Sequence, residues 1–249
     1  MSMALPKLDL PLYTTKLPST DEEVTYRPFL VKEEKILLMA LESGDDKEIF
    51  NATQQIIQNC VQNCDLDTIS SFDAEWLFLQ IRMKSIGETT TLRFRHKKNK
   101  NRSGEECKHI TSITVGLDDV QVEGEVKPDV IMLSKEMGMK MKYPTMRQVM
   151  GVASKQKEGA GTQTIVETIV DIVADCIDVI FDGDTVYDAK KVTRKERIEF
   201  LENLNSEQFQ LVEKFFRGIP KLKKDIRYTC DKCGESSEYT VEGLSNFFV

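Results

Sequence analysis

Hydrophobic positions along this chain change period from one stretch to the next, and the changes divide it. Residues 1–30 hold no steady period, since Pro6, Pro11, Pro18 and Pro28 each bar a long helix, and an extended arm that packs against something is expected. From Val31 apolar residues recur at helical spacing. Ile36, Leu37, Met39, Ala40 and Leu41 follow the charged Lys32-Glu33-Glu34-Lys35, and Gly44 supplies the stop a helix C-terminus favours, which predicts a helix over residues 30–43. Asp45 to Glu48 cap and open a second, with Ile49, Phe50, Ala52, Ile56, Ile57, Cys60 and Val61 on its apolar positions. Cys60 is read as a core thiol and Cys64 as a packed or partly exposed one. Asp73 to Lys84 gives a third helix, acidic at its start and basic at its end, closed by Gly87.

Between residues 88 and 144 the period falls to two. Thr89 to Phe94 and His109 to Val122 alternate, shorter apolar runs follow at Val130–Leu133 and Met137–Tyr143, and Pro144 closes the section. The helical period then returns, with Gly159-Ala160-Gly161 as a break before a helix over residues 165–181. Thr193-Arg194-Lys195-Glu196 reads as a capping box, and Asn205-Ser206-Glu207 opens a last helix that Gly218 and Pro220 end. The fold expected is α+β: a mainly helical protein with a central antiparallel β insertion and a small C-terminal CxxC knuckle. Its regions are an extended arm (1–30), a helical region (31–87), the β-rich insertion (88–144), a second helical region (145–220) and a CxxC hairpin with an apolar terminus (221–249).

Composition narrows the functions open to the chain. With 249 residues and 40% hydrophobic content it can bury a substantial core, and a net charge of −7 repels nucleic acid overall. Basic contacts can only be local: Arg93 to Lys108 forms one cluster, and Arg217, Lys221, Lys223, Lys224 and Arg227 another. The first is the stronger candidate surface, but it interleaves none of the aromatic residues on which bases stack, so a solvated hairpin tip is expected there. The N-terminal residues hold no apolar core of signal length, and no run reaches the roughly 18 apolar residues of a membrane span. The chain is expected to stay where it is made, with its scattered cysteines reduced.

The chemistry that stands out lies at the end of the chain. Cys230-Asp231-Lys232-Cys233-Gly234 has metal-ligand spacing, since two thiolates three positions apart can grip one zinc ion across a tight turn. Tyr239-Thr240-Val241 follows as a strand, whereas a thioredoxin-type CxxC opens a helix. One pair fills half a tetrahedral shell. The remaining soft ligands cluster in the basic stretch, so Cys230, Cys233 and Cys107 with either His109 or His96 make an acceptable structural zinc site. A turn that keeps its cysteines without metal, an exposed reduced pair, or a half-site completed by a partner chain are the alternatives. Cys107 and His109 also fall on one side of a strand, as a nucleophile and base would, but no oxyanion hole or orienting acid accompanies them, and no catalytic residue is assigned. Gly159-Ala160-Gly161 lacks the Lys and Ser or Thr of a phosphate loop, and Asp182-Gly183-Asp184 lacks the alternating ligands of a calcium loop and reads as a turn.

Longer segments carry a resemblance. Leu17-Pro18-Ser19-Thr20, the block from Tyr26-Arg27-Pro28-Phe29-Leu30 through Gly44, Gln80 to Glu88, Glu106-Cys107-Lys108-His109, Met141-Lys142-Tyr143-Pro144 and the terminal Cys-x-x-Cys-Gly with Gly243-Leu244 and Phe247-Phe248 resemble the baseplate hub and hub-assembly proteins of T-even-like contractile-tail bacteriophages. The resemblance covers most of the chain. It implies a non-enzymatic morphogenesis protein that promotes assembly of the central hub of the tail baseplate as a chaperone-like factor, or alternatively a hub component kept in the virion. It implies phage baseplate hub proteins as partners, with no nucleic acid, membrane or small-molecule substrate, and no cofactor besides the structural zinc. The place of action implied is the host cytoplasm during infection, or the tail baseplate of the virion. The aromatic anchors expected to meet a partner are Tyr26 and Phe29 in the arm and Phe247 and Phe248 at the terminus.

Overall fold

The computed structural model describes residues 9–95, 107, 109–124, 130–157 and 162–243. Along the chain run strands β1 (Tyr13–Lys16) and β2 (Glu23–Tyr26), helices α1 (Val31–Ser43) and α2 (Asp46–Cys60), the short β3 (Val61–Gln62) and helix α3 (Ser71–Ser85). Strands β4 (Thr89–Arg95), β5 (Ile110–Gly116), β6 (Gln121–Glu123), β7 (Val130–Met132) and β8 (Met137–Met141) follow, then α4 (Met146–Lys157) and α5 (Thr162–Cys176). Strands β9 (Ile177–Asp182) and β10 (Thr185–Asp188), helices α6 (Arg194–Glu202) and α7 (Ser206–Arg217), and strands β11 (Lys221–Thr229) and β12 (Ser236–Glu242) complete the order. These elements gather into two compact units, residues 1–64, 75–122 and 221–249 in the first and residues 65–74 and 123–220 in the second.

In the first unit the arm is a hairpin. β1 and β2 pair with Tyr13 opposite Tyr26, and β3 adds to β2 with Val61 opposite Tyr26. Tyr26, Ile56, Ile57, Phe78 and Ile81 are fully buried in its core. Helix α1 starts on half a capping box: Leu30 has no side-chain oxygen, but Glu33 accepts the Leu30 N–H at 2.8 Å and also meets the Arg27 guanidinium at 3.1 Å. Burial alone pushes the Glu33 carboxyl up; the Leu30 N–H, Arg27 and Lys32 outweigh it and hold it below the ordinary carboxylate value. Gly44 ends α1 at φ 66°, and Asp45 caps α2 by accepting the Lys47 N–H at 2.8 Å. β4 pairs with β5 from Thr89 opposite Gly116 to Arg95 opposite Ile110, turning Leu92, Phe94 and Val115 inward. β11 runs between β12 and β6.

The second unit is built on the four-stranded sheet β10-β9-β8-β7. Met139, Met141, Ala174, Cys176 and Ile177 are fully buried there, and α5, α6 and α7 contribute Val173, Leu201 and Val212. The sheet needs Gly138, because a Cβ at that position would lie 2.4 Å from the Phe181 ring and 2.9 Å from the Ile131 carbonyl. The Thr193 capping box forms, with Glu196 accepting the Thr193 N–H at 2.8 Å, and Asn205 caps α7.

The mainly helical expectation is corrected. Among the described residues there are seven helices and four antiparallel sheets, so strands are not confined to one central insertion. The arm's strands are four residues each, too short for alternation to show against the flanking prolines. The helix expected over residues 165–181 stops at Cys176, where Ile177–Asp182 becomes β9. Its β-branched and aromatic residues satisfy a buried helix and a buried strand alike; ladders to β8 on one side and β10 on the other select the strand.

Candidate metal centre

Alternation along β11 turns Leu222, Ile226 and Tyr228 inward, and the same step carried one position past the strand buries Cys230, which is 1% exposed. The chain then reverses. The Cys230 N–H donates to the Glu235 carbonyl and the Gly234 N–H to the Cys230 carbonyl, each at 2.8 Å, with Gly234 at φ 69°. That left-handed geometry suits glycine and closes the turn between Thr229 and Ser236, leaving Cys233 half-buried.

Cys107 reaches this turn from a distant part of the sequence, and aromatic packing explains how. Phe94 stacks on Tyr228 with centroids 4.9 Å apart and an interplanar angle of 22°, and meets Tyr239 at 5.3 Å. The Tyr228 hydroxyl donates to the Arg95 carbonyl at 3.1 Å. These contacts set the end of the β4–β5 ladder against the β11–β12 hairpin; Cys107, three positions before Ile110, is buried beside the turn. At the far end of β11, Lys224 pairs with Asp119 at 3.2 Å. The sulfurs of Cys107, Cys230 and Cys233 consequently all lie within 4.8 Å of one another.

The Cys233 thiol is pushed up, first by desolvation and then by hydrogen bonds with the Cys230 and Cys107 thiols, while a backbone hydrogen bond from Glu235 works the other way. All six cysteines are thiols and none is in a disulfide. Tetrahedral zinc with Zn–S bonds of about 2.3 Å needs sulfurs about 3.8 Å apart, a spacing this group accommodates. The donor set fits a soft metal ion, with two buried ligands and a backbone hydrogen bond to the third.

Three of the four residues expected at this site are thus brought together. His109, half-buried just before β5, is not in the group of ligand atoms, and His96 lies outside the described residues. Tyr26 and Phe29, expected as partner anchors, are buried in the first unit, where Tyr26 meets the Tyr13 ring at 5.9 Å and the Phe29 N–H donates to Ser85. Phe247, Phe248 and the break at residues 159–161 lie outside the described residues. The second basic cluster is engaged with carboxylates: Arg217 with Glu213, Lys221 with Glu242, Lys224 with Asp119 and Arg227 with Glu238. Asp182 ends β9 and Asp184 lies in the two-residue turn that leads to β10, as expected of a turn. Sequence reading placed Met39 among the apolar positions of the first helix, yet Val31, Leu38 and Met39 are 80%, 57% and 61% exposed on α1. Their spacing of seven and eight residues, which gathers them on one helix face apart from buried Leu37 and Ala40, is the signal that could have shown it.

The family model of T4 bacteriophage base plate proteins matches residues 10–249, so the chain belongs to that family. No curated protein and no solved structure matched it. Membership makes other phage baseplate proteins its partners and the tail baseplate its setting. Among the described residues no helix is long and apolar enough to cross a membrane.

Proposed function

We propose that the chain is a non-enzymatic morphogenesis protein that promotes assembly of the central hub of the phage tail baseplate, acting as a chaperone-like factor in the host cytoplasm during infection. The observation that carries this reading is the family match over residues 10–249. Such a factor lowers an assembly barrier by binding a hub protein in its competent conformation. The exposed face of Val31, Leu38 and Met39 offers apolar surface for that contact. The cysteine cluster serves the fold in this reading, as a structural zinc site. What supports this over a nucleophile is that Cys107 is buried and shares its place with two further thiols, an arrangement suited to gripping an ion.

The test is an infection in which this chain is removed and then supplied in trans. Hubs that fail to form without it, form when it is restored, and are free of it in purified baseplates support the assembly factor. Recovery of the chain in stoichiometric amount from purified baseplates identifies a hub component instead. Normal hubs in its absence sink the proposal.

A further inference from the structure

We propose that the exposed face of α1 is a self-association surface, on which a second copy of this chain lays its own α1 antiparallel. The pairing needs this chain alone and does not depend on the hub-assembly role.

Helix α1 turns Glu33, Leu37 and Ala40 into the first unit, where all three are buried. At about 100° per residue, Val31, Lys35, Leu38, Met39 and Glu42 fall together on the opposite side, within an arc of about 100°. Val31, Leu38 and Met39 give that face its exposed apolar surface. Lys35 and Glu42 are exposed beside them, and neither has an ion-pair partner among the described residues.

The placement of the two charges selects a second copy as the occupant. Lys35 and Glu42 are seven residues apart, about 10.5 Å along the helix, and the midpoint between them falls between Leu38 and Met39. A twofold axis through that midpoint, the symmetry of most homodimers, runs two copies of α1 antiparallel. It sets Lys35 of each copy against Glu42 of the other, and at the centre Leu38 of each against Met39 of the other. A parallel pairing would instead set Lys35 against Lys35 and Glu42 against Glu42. An apolar centre between opposite charges is the anatomy of a specific interface with a polar rim. Two helices of 13 residues, each about 20 Å long, bury less than the roughly 1,200 Å² of a lasting complex, so the dimer exchanges with monomer. Free chain covers in this way the apolar surface open to a hub protein, and the two contacts exclude each other.

Sedimentation equilibrium of the full chain, under reductant and over a concentration series, tests the pairing. The wild type is expected to pass from monomer to dimer as concentration rises. Lys35→Glu and Glu42→Lys alter exposed positions and are expected to keep the wild-type circular dichroism. Each alone is expected to weaken self-association at least about tenfold, because like charges then meet on both sides of the axis. Mixed in equal amounts, the two variants are expected to recover wild-type association, since every contact across the axis again joins opposite charges. No recovery in the mixture, or a dimer that neither variant weakens, overturns the proposal. A wild type that stays monomeric overturns it too: loss of hub-protein binding in Leu38→Asp would then assign the face to a hub contact, and Met39 shielded from oxidant in the monomer would assign it to a segment of this chain.

Discussion

Cys176 lies at the end of α5 against the sheet of the second unit, fully buried among Met139, Met141 and Ile177, and burial pushes its thiol up to about 12. Cys107 and Cys230 are just as buried in the first unit, but each has two other sulfurs within 4.8 Å. Cys176 packs as a small apolar residue, whereas the clustered thiols are placed to act together as a ligand set. The second unit closes around Met139 and Met141 of β8 with Ile177 and Ile180 of β9. The corner of the first unit is made by Phe94 stacking on Tyr228 at the hairpin ends, where a metal ion would join residues distant in sequence.

The comparison breaks first on metal removal. Zinc present at 1,000 times its dissociation constant stabilises a fold by about 4 kcal/mol. A strong chelator is therefore expected to remove amide-exchange protection from β5, β11 and β12 while β8 and β9 keep theirs; equal loss in both places would show that the cysteine corner is no separate source of stability. The converse change is Met141→Ala, which empties a fully buried site in the second unit. It should cost about 3 kcal/mol, lower protection in β8 and β9, and leave bound metal per chain unchanged.

The smallest effect sharpens the comparison within the first unit. Glu33, with a side chain 0% exposed, is held ionised by the Leu30 N–H, Arg27 and Lys32, so Glu33→Gln should cost about 2 kcal/mol at neutral pH. Because the folded-state value is depressed, this contribution is complete above the ordinary carboxylate range and disappears as pH falls through the folded value. Acid unfolding curves of wild type and variant should converge at low pH, with equal metal content at neutral pH. A gap that persists in acid would mean that shape, and not charge, is what Glu33 supplies.

Much of the helical scaffold was legible because its signals are local. Gly44, Asp45, Thr193 with Glu196, and Asn205 each act within a few residues of themselves, and each ends or starts a helix as its chemistry predicts. The strands outside residues 88–144 were not legible. Ile177–Asp182 and the short arm strands have no preference that survives without a partner, and their partners lie elsewhere in the chain. Tyr26 and Phe29 have the composition of anchors, and only their burial distinguishes core from surface.

For the site, the sequence by itself determined the ligand types: a Cys-x-x-Cys turn with its glycine, and a single cysteine beside a histidine far upstream. It also determined the family, since the matching segments run through most of the chain. Only the tertiary structure decided that Cys107 comes to Cys230 and Cys233. Metal-ligand spacing within one turn is fixed by covalent geometry, but a meeting between residues 107 and 230 depends on Phe94, Tyr228 and Tyr239 packing two hairpins together. That is a contact between side chains, and no period or spacing along the chain encodes it.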